Sequence, residues 1–86
     1  MAIAGYAVLS QAFSVANPNT AAPIVVPAGA GKQVLSWGVD KAGNTDLIVT
    51  GYPAADGTSC TFEFTEARGG PTASTGTLFV IVASVA

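Results

Sequence analysis

Apolar and polar residues alternate with a period of two along several stretches of the chain. In residues 58–67, Cys60, Phe62 and Phe64 alternate with Thr61, Glu63 and Thr65. Successive side chains of an extended strand point to opposite faces, so this stretch predicts a strand with one core face and one wet face. Residues 33–40 alternate likewise, with Leu35, Trp37 and Val39 set against Val34, Ser36 and Gly38. The set containing Trp37 is expected in the core. Ile24, Val25 and Val26 lie between Pro23 and Pro27, which have no N–H to give a ladder, so a short edge strand is predicted there. Residues 6–16 fit two periods. A helix would gather Leu9, Phe13 and Ala16, whereas a strand would gather Leu9, Gln11, Phe13 and Val15. A two-turn uncapped helix is the weaker choice, so a bulged strand is predicted.

Residues 47–52 and 77–85 depart from this pattern, because both parities are apolar. In the last run Leu78, Val80 and Val82 share one face, and Phe79, Ile81, Ala83 and Val85 share the other. If one face meets the core, the other is an apolar stripe that is either covered within the fold or a contact surface. Phe79, Ile81 and Val85, together with Ile48 and Tyr52 from the earlier run, are therefore the candidate interaction residues.

Turn signals separate these runs at intervals of roughly a dozen residues, the spacing of an all-β sandwich or barrel. They are Asn17-Pro18-Asn19, Ala28-Gly29-Ala30-Gly31, and residues 40–44, 53–57 and 68–71. No repeat or linker divides the chain, so residues 1–86 are read as one domain, with Met1 to Gly5 as a candidate extended arm.

Composition sharpens this picture. Charged residues make up 9% of the chain, against roughly 25% in an ordinary soluble domain, so the surface is either neutral Thr, Ser and Gly or covered by partners. The three cations Lys32, Lys41 and Arg68 are scattered and the net charge is −2, which argues against nucleic acid and against an anionic membrane surface. The strongly apolar residues 78–83 fall far short of the ~20 needed to span a bilayer. The N-terminus lacks the features of a secretory signal, so the chain reads as a product made in the cytoplasm from its own Met1. Cys60 is the single cysteine and there is no histidine, so neither an internal disulfide nor a zinc site is expected.

Catalytic chemistry finds little to work with. Glu63 and Glu66 differ in strand parity and point to opposite faces, while Asp40, Asp46 and Asp56 fall in or beside turns, where Asp caps backbone amides. A calcium loop of Asp40, Asn44 and Asp46 lacks the ligand density of an EF-hand. The glycines before Lys32 lack phosphate-loop spacing, and Cys60 reads as a small buried hydrophobe. Tyr6, Trp37 and Tyr52 would be the stacking residues of a carbohydrate-binding module. The chain is read as a non-enzyme without a cofactor.

The order of these segments resembles a known family. Gly5-Tyr6-Ala7-Val8 is followed by Val26-Pro27-Ala28-Gly29-Ala30-Gly31-Lys32-Gln33-Val34-Leu35, then Ile48-Val49-Thr50-Gly51-Tyr52-Pro53, Cys60-Thr61-Phe62-Glu63-Phe64-Thr65 and Gly76-Thr77-Leu78. Across nearly the whole chain this is similar to a small immunoglobulin-like β-sandwich module of actinobacterial phage virion proteins and some extracellular bacterial proteins. The resemblance implies an all-β, immunoglobulin-like antiparallel sandwich of about six or seven strands. Val26 and Ser84 stand where that family has a pair of cysteines, Cys60 stands where it has a strand tryptophan, and Ser36 and Trp37 replace two glycines. Loss of both halves of a bridge fits assembly inside a reducing cell. The implied function is a non-catalytic virion protein, a capsid decoration (cement) subunit on the capsid surface, with the major capsid protein and copies of itself as partners. The alternative is a tail- or surface-borne module that recognises host carbohydrate or protein.

Overall fold

The computed structural model describes residues 3–43, 46–67 and 72–85, and every regular element among them is a strand. The chain runs β1 (Ile3–Val15), β2 (Ile24–Pro27), β3 (Lys32–Lys41), β4 (Leu47–Pro53), β5 (Ser59–Glu66) and β6 (Ser74–Val85). They form two three-stranded sheets, β1-β6-β3 and β2-β5-β4, antiparallel throughout. The protein is a small all-β sandwich. Only β4 and β5 are consecutive in the chain and also paired; every other connection passes from one sheet to the other.

In an immunoglobulin sandwich, strands B, E and D share one sheet and C, F and G the other. The sets β2-β5-β4 and β3-β6 have those same pairings. The place of the last strand, G, beside β6, is taken here by the N-terminal strand β1.

The alternation in residues 58–67 becomes β5, whose Cys60, Phe62 and Phe64 are all buried. Val26, Leu47 and Val49 join them from the second sheet, and Phe13, Val15, Leu78, Val80 and Val82 meet them from the first. A fully buried Phe, Leu or Val contributes about 1.5–3 kcal/mol through removal from water, so this layer carries the fold. Two ring contacts bind the sheets together. Phe13 packs on Phe64 with ring centroids 5.1 Å apart, and Trp37 meets Phe62 edge-on at 5.9 Å. Each ring needs a glycine. A Cβ at Gly51 would lie 2.5–2.7 Å from three atoms of the Trp37 ring system, and one at Gly76 would lie 2.7–2.8 Å from the Phe13 ring and overlap the Asp40 carbonyl.

Residues 6–16 settle as strand, because β1 pairs with β6 along its length. One extra residue of β1 is accommodated between Ala4 and Ala7, where Gly5 takes a φ of 66°, a left-handed conformation that favours glycine. This corrects the expectation of an extended arm: Ile3, Ala4 and Gly5 belong to β1, and Ile3 and Ala4 pair with Val85 and Ser84. Met1 and Ala2 lie outside the described residues, as do residues 68–71 of the last turn signal and Asn44 of the calcium loop that the sequence argued against.

A second correction concerns β3. Val34 opposes Val82 and Ser36 opposes Ile81, so β3 also carries one extra residue. The resulting bulge changes the parity. Val34 turns inward with Trp37 and Val39, while Leu35, expected in the core with them, is exposed.

Candidate interaction surface

The register places Phe79 and Ile81 on the outer face of the first sheet. Around Ile81 stand Val8 of β1 and Ser36 of β3; around Phe79 stand Ser10 and Gly38. Ile81 is 37% exposed even though β6 is the central strand, and Val8 and Tyr6 on β1 are 63% and 67% exposed. The small neighbours Ser36, Gly38 and Ser10 leave the larger apolar groups uncovered. Exposed Leu35 adds to the same sheet at the bulge. With strands about 4.8 Å apart and a rise of about 3.4 Å per residue, these rows span a footprint of roughly 14 by 17 Å. It holds no charged side chain. The nearest charged residues along the sheet are Asp40, opposite Thr77, at one end and Lys32, opposite Ser84, at the other.

Ile48 and Tyr52 lie on the opposite side of the molecule, on the outer face of the second sheet. Val25 and Tyr52 flank Thr61, Thr50 stands beside Glu63, and Ile48 beside Thr65. Glu63 is exposed on the central strand, so a carboxylate divides the apolar groups of this face. At one end the Thr65 hydroxyl and the Glu66 N–H both donate to Asn19 Oδ1 at 3.1 Å, which laps the β1–β2 connection over β5. The candidate interaction residues thus divide between two faces. Val85 pairs through its backbone with Ile3, and its side chain lies outside the described residues. Ala83, on the same parity as Phe79 and Ile81, is fully buried.

No protein-family model, curated protein or solved structure matches the chain. The surface therefore has to be read from its own chemistry.

That chemistry is concentrated in few places. Cys60 is fully buried, and burial raises its thiol above the ordinary value, only partly offset by a hydrogen bond with the Tyr52 backbone, so it stays a protonated, unreactive thiol at neutral pH. Asp56 sits in the β4–β5 turn, where the Thr58 hydroxyl and N–H donate to its Oδ1 at 2.7 and 3.1 Å. These bonds hold its carboxyl below the usual carboxylate range. Glu63 faces solvent and Glu66 is buried, accepting the Thr72 N–H at 3.1 Å, so the two carboxylates are on opposite faces. Among the described residues no group of three His, Cys, Asp or Glu side chains could hold a metal. An open depression of about 400 Å³ follows the end of β1, lined by residues such as Ser14, Asn17, Thr20 and Ile24. Its polar groups are hydroxyls and one amide.

The stacking residues do not converge. Tyr6 and Tyr52 stand on opposite outer faces, and the Trp37 ring lies over Gly51 and against Phe62. Sequence reasoning named Tyr6 only as a stacking residue and missed Val8, Val25 and Leu35 as exposed apolar residues. The signal for Val8 was present: Tyr6 and Val8 alternate with Ala7 and Leu9, the same two-sided apolar pattern that marked residues 77–85.

Proposed function

We propose that this chain is a non-catalytic structural protein of a virion, a capsid decoration subunit that binds and reinforces the lattice of the major capsid protein. One observation carries the general part of this reading: the uncharged apolar outer face of the first sheet, centred on Ile81 and flanked by Val8, Tyr6 and Leu35. Contiguous exposed apolar surface on a soluble protein marks a site of protein contact. The virion part rests on the resemblance of the segments in sequence.

The mechanism is additive. The footprint is smaller than the ~800 Å² per partner of a standard stable interface, so a single contact is weak. Many copies arrayed on a repeating shell gain through multivalency, because each further contact forms at high effective concentration. Shell reinforcement then needs no chemistry beyond apolar burial.

The test adds purified chain to capsids assembled without it and follows saturable binding and the temperature of shell disruption. Binding at a fixed copy number with a rise in that temperature is expected, and Ile81→Lys should weaken binding at least tenfold while leaving the fold intact. No saturable binding by the native chain would overturn the reading.

A further inference from the structure

A two-sheet sandwich has four edges, and this one protects three of them. β2 has four residues, ends in Pro27 and follows Pro23. β4 ends in Pro53, and the Lys41 ammonium donates to the Leu47 carbonyl at its start at 2.9 Å. β3 carries Lys32, Asp40 and Lys41 and is bulged at Leu35. In addition, the Val34 N–H is already taken by the Gly57 carbonyl at 2.8 Å. Charges, prolines, bulges and short length are the devices by which soluble proteins keep strand edges from pairing with other chains.

The fourth edge has almost none of them. β1 runs for 13 residues, Ile-Ala-Gly-Tyr-Ala-Val-Leu-Ser-Gln-Ala-Phe-Ser-Val, without a charge or a proline. Its irregularity is confined to Gly5 and Tyr6, and residues 7–15 pair with β6 in unbroken register. Among the described residues its backbone has no hydrogen-bond partner other than β6. Along these nine residues, about 31 Å, the N–H and C=O groups of every second residue point away from β6 and face solvent as a ready-made template.

We infer that β1 pairs antiparallel with β1 of a second copy of this chain, joining the two first sheets into one six-stranded sheet. The composition of the strand argues for a second copy over an unlike partner. Homotypic pairing sets no like charges together, whereas a strand evolved to choose a charged partner would carry the opposite charge. A two-fold axis at Gln11, the midpoint of the regular stretch, gives the longest ladder. It sets Val8 opposite Ser14 and Ser10 opposite Ala12 on the outer face, and Leu9 opposite Phe13 and Ala7 opposite Val15 on the inner face, so the parity of both strands is kept. Gln11 would meet itself. A glutamine amide both donates and accepts, and so complements its own copy across the axis. Gln11 is exposed although it shares the parity of buried Phe13 and Val15, which leaves its side chain accessible at this edge. Pairing would also carry the apolar outer face across the junction, bringing Val8 of both copies onto one continuous surface.

The inference does not depend on a virion role, and its test uses the purified chain alone. Sedimentation equilibrium over micromolar to millimolar concentration is expected to show a monomer–dimer equilibrium. Gln11→Lys sets two ammonium groups together at the axis and is expected to weaken the dimer at least tenfold, while Val25→Lys, on the other sheet, leaves it unchanged. The second readout is Gln11→Cys under mild oxidation. Facing antiparallel residues have Cα atoms about 4.5–5.5 Å apart, inside disulfide range, so this variant should cross-link to a dimer much faster than Val25→Cys. A chain that stays monomeric at millimolar concentration overturns the inference. So does a dimer that survives Gln11→Lys, or Gln11→Cys cross-linking no faster than Val25→Cys, each of which would place association elsewhere or make it an exchange of whole strands.

Discussion

The two outer faces of this sandwich expose similar amounts of apolar side chain and differ in where they place charge. On the first sheet Tyr6, Val8, Leu35 and Ile81 are exposed around small neutral residues. On the second, Val25, Ile48 and Tyr52 are just as open, yet Glu63 stands on the central strand among Thr61, Thr65 and Thr50. A hydrated carboxylate in the middle of a face makes contact there costly, because it must be desolvated without a partner. Exposure alone therefore does not mark a contact surface. The position of one charge is what separates the two faces, and the proposed function takes the first sheet as the contact face.

This contrast presupposes that both faces belong to one rigid body. The strongest way to break it is to weaken the shared core from each side. Leu78 lies at the centre of the first sheet and Leu47 in the second, each 1% exposed. Leu78→Ala and Leu47→Ala should each lower stability by about 2–5 kcal/mol. In both variants Trp37 fluorescence and far-UV circular dichroism should follow one coincident transition under urea. If the two probes separated for Leu47→Ala, the second sheet would unfold by itself, and its face could not be compared with the first as part of a common scaffold.

A gentler change sharpens the contrast. Glu63→Val removes the one carboxylate from the outer face of the second sheet and leaves the core untouched. Stability should move by no more than about 0.5 kcal/mol, as for most surface substitutions. Solubility should fall several-fold, read as the concentration at which light scattering rises, because Val25, Tyr52 and Ile48 would then adjoin a continuous apolar strip. Unchanged solubility would mean that Glu63 is not what distinguishes the faces.

How much of this was legible in the sequence depended on how local the cause was. β5 could be read directly, since Cys60, Phe62 and Phe64 alternate without interruption and the structure buries all three. Pro23 and Pro27 likewise marked β2 as an edge. Leu35 was misplaced because its bulge arises from the register of β3 against β6, a partner about forty-five residues away whose alignment no local pattern encodes. The candidate surface was legible in part for the same reason. The two-sided apolar runs singled out Ile81 and Ile48 as either covered within the fold or part of a contact surface, and the structure leaves both exposed. That they belong to opposite sides of the molecule follows from the strand order, which depends on pairing at long range. The unprotected edge needed both kinds of information: its lack of charge is written in residues 3–15, and its freedom from other strands is visible only once the sheets are assembled.

The smallest effect concerns the turn that ties the two faces together. The β4–β5 turn supplies the Gly57 carbonyl to the Val34 N–H across the sandwich, and Asp56 shapes that turn through Thr58. The Thr58 hydroxyl first, and its N–H second, hold the Asp56 carboxyl below the ordinary value of 3.8. A carboxyl lowered in the folded state stabilises the fold above its unfolded value. That contribution fades as pH falls below 3.8 and through the lower folded value. Asp56→Asn keeps an acceptor oxygen and removes the charge. The native chain should therefore have a slightly higher urea midpoint than the variant at pH 6, and the difference should be lost as the carboxyl protonates at pH values below 3.8. If it persisted there, the turn would be held by the geometry of its hydrogen bonds alone, and the link between the two sheets would be insensitive to acid.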